Sequence, residues 1–141
     1  MRTAIISDIH GNIEALEKVL QDLDEQKADE VICLGDTIGY GPDPDACVRT
    51  IMERKIPGVL GNHEYAVVEK HQRRWFNPLA RKALSLTEEL LSDEAMAYIR
   101  SLPLTLYRGD ALFVHGVPPD SVRTYLFELT DETILERCRA M

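Results

Sequence analysis

At 141 residues and 45% hydrophobic content, the chain is long enough for one domain with a real core and too apolar for a disordered one. No apolar run approaches the roughly 20 residues of a membrane span. The short run Thr3–Ile6 behind Arg2 ends at Ser7-Asp8, so no signal peptide is expected. A net charge of −8 and a pI near 5.0 argue against non-specific nucleic-acid binding, but they admit a phosphate substrate where metal ions supply positive charge.

Residues 2–7 are mostly apolar and read as a strand covered on both faces. The strand runs into Ser7-Asp8-Ile9-His10-Gly11-Asn12. In an extended backbone alternate residues share a side, so Asp8 and His10 are expected to converge, and a carboxylate beside an imidazole suits a divalent cation. Alone, the triplet also reads as a turn aspartate and a surface histidine. Asn12 is placed to cap a helix running to about Gln26, with Ile13, Leu16, Leu20 and Leu23 along one face.

Val31-Ile32-Cys33-Leu34 reads as a second buried strand, ending in Gly35-Asp36. Cys33 is expected as a small buried hydrophobe. With Cys47 and Cys138 the cysteines are odd in number and widely spaced, so neither a disulfide framework nor a zinc knuckle is expected; the location expected is cytoplasmic. The turn-rich loop Gly39-Tyr40-Gly41-Pro42-Asp43-Pro44 leads into a helix from about Pro44 to Arg54. A third short strand is expected over 56–60, ending in Gly61-Asn62-His63-Glu64. Strand, helix, strand, helix, strand implies a parallel sheet, and such sheets bind ligands beyond the carboxyl ends of their strands.

Residues 64–101 look helical. Asn77-Pro78 is an N-cap and first-turn signal, after which Leu79, Ala83, Leu86 and Leu90 fall at helical spacing. Ser92 is set to cap a further helix with Met96 and Ile99 inward, stopping before Pro103. Trp75 and Phe76 read as core or lid packing in preference to substrate stacking. Leu104–Tyr107 and Ala111–His115 form two strands of a hairpin turning at Gly109-Asp110. A last helix is expected from about Thr130 to Met141, with Ile134, Leu135, Cys138 and Met141 on one stripe.

Asp8 with His10, Asp36, Asn62 with His63, and His115 thus all fall at the carboxyl ends of expected strands. In this order and spacing, Asp8-x-His10, Gly35-Asp36, Gly61-Asn62-His63-Glu64 and Val114-His115-Gly116 resemble the motifs of the calcineurin-like metallophosphoesterases. Ser7–Asn12 and Gly39–Pro42 look like the small prokaryotic phosphodiesterase branch.

The resemblance implies an α/β (α+β) fold, a two-sheet sandwich flanked by helices, over a single domain 1–141 that is C-terminally truncated. It implies two divalent metal ions, fully or partly loaded, of identity open among Mn, Fe, Ni, Zn and Mg. Asp8 and His10 would hold the first, Asn62 and His115 the second, and Asp36 would bridge them. His63 would be a proton donor to the leaving group rather than a ligand, and Glu64 would help orient it. The implied reaction is hydrolysis of phosphodiesters or phosphomonoesters, with a hydroxide attacking phosphorus in line between the two metals.

Two departures qualify the expectation. The family closes its site with a Gly-His-x-His motif that supplies one more histidine to each metal, and no histidine follows His115 here. Two expected ligands are therefore missing, and whether the chain is an enzyme stays open. Truncation is the preferred explanation; a partner chain, or a degenerate module with a binding or scaffold role, would account for it too. His71 reads as part of a solvated charged stretch rather than a substitute ligand. Secondly, Thr37-Ile38 follows Asp36 where phosphoprotein phosphatases carry Asp-Arg, so a bidentate phosphate clamp is absent from that place. Arg73, Arg74 and Arg123 are alternatives, though surface roles suit them better. A small phosphate ester is the expected partner, without a membrane. A homo-oligomer is expected because uncovered sheet edges invite pairing. A nucleotide-binding α/β domain is the third reading, opposed by the lack of a glycine-rich phosphate loop after the first strand.

Overall fold

The computed structural model describes residues 1–140. The parallel pair β1 (Thr3–Ile6) and β2 (Glu30–Cys33) is joined through α1 (Ile13–Glu25), with Ile6 opposite Cys33. Then follow α2 (Pro44–Glu53), α3 (Asn62–Val68), a 3-10 turn at Lys70–Trp75, α4 (Pro78–Leu90) and α5 (Asp93–Ser101). The antiparallel hairpin of β3 (Thr105–Arg108) and β4 (Ala111–Val114) comes next, with a 3-10 turn at Leu126–Glu128 and α6 (Asp131–Arg139) closing the chain. Two small sheets flanked by helices make up the architecture, the metallophosphoesterase-like arrangement expected.

Helix starts follow local chemistry. Asn12 Oδ1 accepts the Ala15 N–H at 3.0 Å, Asn77 Oδ1 accepts that of Ala80 at 2.9 Å, and Ser92 Oγ accepts that of Ala95 at 3.2 Å. Ser92 also donates its backbone N–H and hydroxyl to Asp45 Oδ1, at 2.8 and 2.6 Å, tying α5 to the first turn of α2. Pro44 occupies that first turn, where a missing N–H has no cost. The hairpin turns through Gly109 at φ +56°, a conformation glycine adopts freely.

Two expectations need correction, over 56–60 and in α6, and α4 buries a face that helical spacing left open. Residues 56–60 form no strand: Gly58 makes a single parallel bridge to Cys33, and the Leu60 N–H turns away to the Pro103 carbonyl at 2.8 Å. In α4 the buried face is Ala80, Leu84 and Thr87, while Leu79, Leu86 and Leu90 are exposed, Leu79 by 77%. Helical spacing identified the helix but not the side it buries. In α6, Leu135 and Cys138 are exposed and no described residue is buried; Met141 lies outside the described residues. Cys33 is buried as expected, and none of the three cysteines is paired.

The core is two clusters. Ile38, Val48, Leu60, Val67, Leu84 and Ile99 fill the space between α2, α3, α4 and α5. Leu16, Leu20, Cys33, Cys47, Ile51 and Ile56 pack α1 and α2 against β2, and Tyr98 touches both clusters. Each fully buried aliphatic side chain contributes about 1.5–3 kcal/mol. The loops after β1, β2 and β4 and the start of α3 emerge from this core at one edge.

Candidate metal centre

Asp8 and His10 do not converge by strand alternation. β1 ends at Ile6, and Asp8 and His10 stand in left-handed turns at φ +56° and +50°. Asp36, past β2, does the same at φ +52°. Non-glycine residues rarely adopt this region, and such strain collects where side chains must be aimed. The turns are held by the neighbouring loop: Asp8 N–H donates to the Gly35 carbonyl at 3.1 Å, and His10 N–H to that of Asp36 at 2.9 Å.

Buried Glu64 anchors that second loop. Its Oε2 accepts the N–H groups of Asp36 and Gly61 at 2.8 and 3.0 Å; its Oε1 accepts those of Thr37 and Ile38 at 2.7 and 3.1 Å. The carboxylate therefore shapes the loop and caps α3, and none of these bonds goes to the His63 imidazole. Asp36 Oδ1 accepts the His63 N–H at 2.9 Å, which closes the loop onto α3. Gly61 leaves room for this, since a Cβ there would collide with Asp36 Oδ1.

Two backbone carbonyls fix the imidazoles. His10 Nδ1 lies 3.1 Å from the Ile38 carbonyl, and His115 Nδ1 lies 2.7 Å from that of Leu34. A carbonyl only accepts, so each Nδ1 carries a proton, and in the neutral ring each Nε2 presents a lone pair. The His10 Nε2 lone pair faces Asp8 Oδ1 at 3.7 Å and Asp36 Oδ2 at 3.8 Å. His115 Nε2 faces Asn62 Oδ1 at 3.0 Å and Asp36 Oδ2 at 3.6 Å. Lone pairs gathered in this way can be shared by a cation once Asp36 is ionised. Donor separations of 3.6–3.8 Å are longer than hydrogen bonds, and they suit ligands that each sit about 2.0–2.2 Å from a shared ion. The residues fit a divalent-metal centre.

The donors form two groups, His10, Asp36 and His63, and Asp8, Asp36 and His115, with atoms in each group within 4.8 Å of one another. These are two candidate sites for divalent ions, with Asp36 common to both. The expectation that missing histidines leave the site short of ligands, and with it the question of whether the chain can be an enzyme, is corrected here. Each group already offers three donors from this chain, the number that metal-dependent catalysts commonly use while keeping a position open. His63 joins the first group because α3 turns its ring inward.

Electrostatics agree with a cation-seeking site. Burial and the nearby Glu64 carboxylate raise the Asp36 pKa to about 8, against the lowering effect of the His63 N–H. His63 is lowered to about 4, chiefly by burial and then by His10 and His115. Its ring packs edge-on against His10, Tyr40 and Phe76, with centroids 4.7–5.1 Å apart, and buried Nδ1 has no hydrogen-bond partner among the described residues. Gly39, at φ +94°, permits this, since a Cβ there would strike the ring.

These shifts predict a pH signature in the metal-free chain. Folded Asp36 keeps its proton up to about pH 8 while the unfolded residue loses it near 3.8, so this group lowers stability as pH rises across that window. Burial of neutral His63 acts oppositely, but only between about 4 and 6.5. From pH 6.5 to 8 only the Asp36 contribution remains, and stability is expected to fall by up to about 1.4 kcal/mol per pH unit. Urea unfolding with a chelator should show the fall, and saturating divalent cation should remove it; a flat chelated profile would contradict it.

The carboxylates and imidazoles line a pocket of about 610 Å³ together with Tyr40, Trp75, Phe76, Arg123, Tyr125 and Glu128. Sequence reasoning passed over Tyr40, Tyr125 and Glu128 as site residues, and the carbonyl anchors carry no sequence signal. His71 is apart from the site, exposed beside Glu69 and Gln72.

The family description calcineurin-like phosphoesterase matches residues 1–139. An uncharacterised protein of Methanocaldococcus jannaschii is 36% identical over 129 residues, covering 88% of this chain and 53% of that protein. The crystal structure of a metallophosphoesterase from Sphaerobacter thermophilus superposes with a TM-score of 0.73 at 40% identity, over 89% of this chain and 51% of the other. A hypothetical protein from Pyrococcus horikoshii shares the fold with a TM-score of 0.82 at 19% identity, over 98% of this chain and 64% of its own. The chain thus spans about half the length of the first two relatives.

Proposed function

Because this chain belongs to the calcineurin-like phosphoesterase family, we propose that it hydrolyses phosphodiesters, or small organic phosphate monoesters, at the pocket that holds Asp8, His10, Asp36, Asn62, His63 and His115. The observation that supports this best is the pair of carbonyl-fixed imidazoles whose Nε2 atoms face the oxygens of Asp36, an arrangement suited to divalent cations. Bound cations would neutralise charge that grows on the phosphoryl oxygens and acidify an attacking water. We take residues 1–141 as one metallophosphoesterase-like domain, manganese as one candidate among Mn, Fe, Ni, Zn and Mg, and the small prokaryotic phosphodiesterases as its branch. A cytoplasmic location is proposed with them; among the described residues no helix is long and apolar enough to cross a membrane.

The chain's own residues then divide the work. Because Asp8 Oδ1 also faces His10 at 3.7 Å and Asn62 Oδ1 faces His115 at 3.0 Å, Asp8, His10 and Asp36 would hold one cation and Asn62, His115 and Asp36 the other, each keeping three donors when His63 is left free for proton transfer. His63 stands beside the leaving-group oxygen. Its imidazole is neutral in the resting chain. A phosphate anion in the pocket favours the protonated ring, so substrate entry restores a proton that His63 can hand to the departing oxygen.

That role separates from ligation by leaving group. His63→Asn is expected to slow hydrolysis of an alkyl phosphodiester by on the order of a hundredfold or more, and that of a p-nitrophenyl ester far less, because p-nitrophenolate departs without a proton. Equal losses on both substrates would assign His63 to the metal instead.

Self-association is a separate proposal. Among the described residues β1 pairs only with β2, and Ile5 on it is 55% exposed. Such an edge favours pairing between copies. Sizing with light scattering should return a dimer or larger species, and a monomer at high concentration would contradict it.

A further inference from the structure

The mouth of the pocket is unlike its floor. Trp75, Tyr40 and Tyr125 line it and are 61%, 58% and 54% exposed, a large aromatic surface for side chains that normally bury their rings. Arg123 lines the pocket beside them, its guanidinium 4.8 Å from the centre of the Trp75 ring, and Arg74 lies over the same ring at 5.3 Å. Among the described residues Arg123 is the only Arg or Lys along a pocket that also carries the carboxyl groups of Asp8, Asp36 and Glu128. Among the described residues its guanidinium makes no ion pair and no hydrogen bond.

We propose that this mouth recognises a nucleotide: Arg123 takes an oxygen of the substrate phosphate, and the Trp75 ring takes the planar base. An unpaired guanidinium beside a carboxylate-lined pocket is placed to receive an anion, and its fork grips phosphate oxygens in pairs. A phosphate that draws Arg123 toward the pocket uncovers indole surface, and exposed aromatic rings bind bases of any sequence by stacking. A pocket of about 610 Å³ has room for both parts of the ligand. The arrangement fills the place of the phosphate clamp that Thr37-Ile38 cannot provide, and it assigns Trp75 a recognition role in place of the packing role its sequence position suggested. The inference rests on the proposed phosphoesterase reading and narrows its substrate to a nucleoside phosphate ester.

Trp75 is the single tryptophan, so its fluorescence reports the site directly. The manganese-loaded full chain is titrated with adenosine 5′-monophosphate and with ribose 5-phosphate, and affinities are also read by calorimetry. Adenosine monophosphate should quench the emission saturably and bind about tenfold or more tighter than ribose 5-phosphate. Trp75→Ala should erase that preference, Trp75→Phe should keep most of it, and Arg123→Ala should weaken both ligands by about tenfold. Equal binding of the two ligands by the unaltered chain, or a preference that survives Trp75→Ala, would overturn the proposal. Binding of adenosine monophosphate without any phosphodiester turnover would leave this inference standing and sink the proposed reaction. Turnover of bis-p-nitrophenyl phosphate with no base preference would do the reverse.

Discussion

Asp36→Asn is expected to reduce manganese-dependent hydrolysis of bis-p-nitrophenyl phosphate by on the order of a thousandfold while the chain stays folded. Asp36 is the only side chain shared by both donor groups. Asparagine keeps a carbonyl oxygen that can still accept the His63 N–H, the bond Asp36 Oδ1 now receives at 2.9 Å. It replaces Oδ2, which faces both His10 and His115, with an NH2 group or leaves it uncharged. It also removes a carboxyl whose pKa is raised to about 8, so the variant should be no less stable than the metal-free parent at pH 8. Lost turnover with an unchanged or higher unfolding midpoint is the expected pair of results. Turnover within tenfold of the parent would show that Asp36 is not shared by two working cations.

Glu64→Ala should produce the largest loss of stability, about 3 kcal/mol or more in urea unfolding. Four backbone N–H groups, from Asp36, Thr37, Ile38 and Gly61, now end on this one fully buried carboxylate. Alanine would leave all four buried and unpaired. Glu64→Gln tests the charge state without changing the shape. One end keeps an accepting oxygen, while the other turns an NH2 group toward two donors, so a loss of about half that size is expected. If glutamine proves as stable as glutamate, the clamp does not depend on an ionised acceptor.

Local signals were the legible part of this fold. Asn12, Asn77 and Ser92 cap their helices where the sequence places them, because a cap needs only its own side chain and the next three residues. What depends on partners far along the chain was less visible. Ile56–Leu60 has strand-like composition, yet Leu60 finds its acceptor at Pro103, so the ladder ends after one bridge. In α4 the leucines are regularly spaced, but small Ala80 and Thr87 face inward with Leu84, and spacing alone cannot distinguish the two faces.

The site shows the same division. Their places at the carboxyl ends of expected strands suggested that Asp8, His10, Asp36, Asn62, His63 and His115 meet, and all of them line one pocket. Strand alternation was the wrong reason for Asp8 and His10, which left-handed turns aim instead. The Ile38 and Leu34 carbonyls that set the imidazole tautomers are backbone atoms, so no residue type announces them. Counting histidines against a family pattern set His63 apart as a proton donor, whereas α3 also brings its ring within reach of His10 and Asp36.

Metal content tests the central claim most directly. The full chain, stripped with chelator, reloaded with manganese and freed of excess ion, should retain two equivalents by elemental analysis, and Asp36→Asn should retain fewer than one. A chain that keeps no manganese, or two equivalents that survive Asp36→Asn, would contradict a centre built around that shared carboxylate.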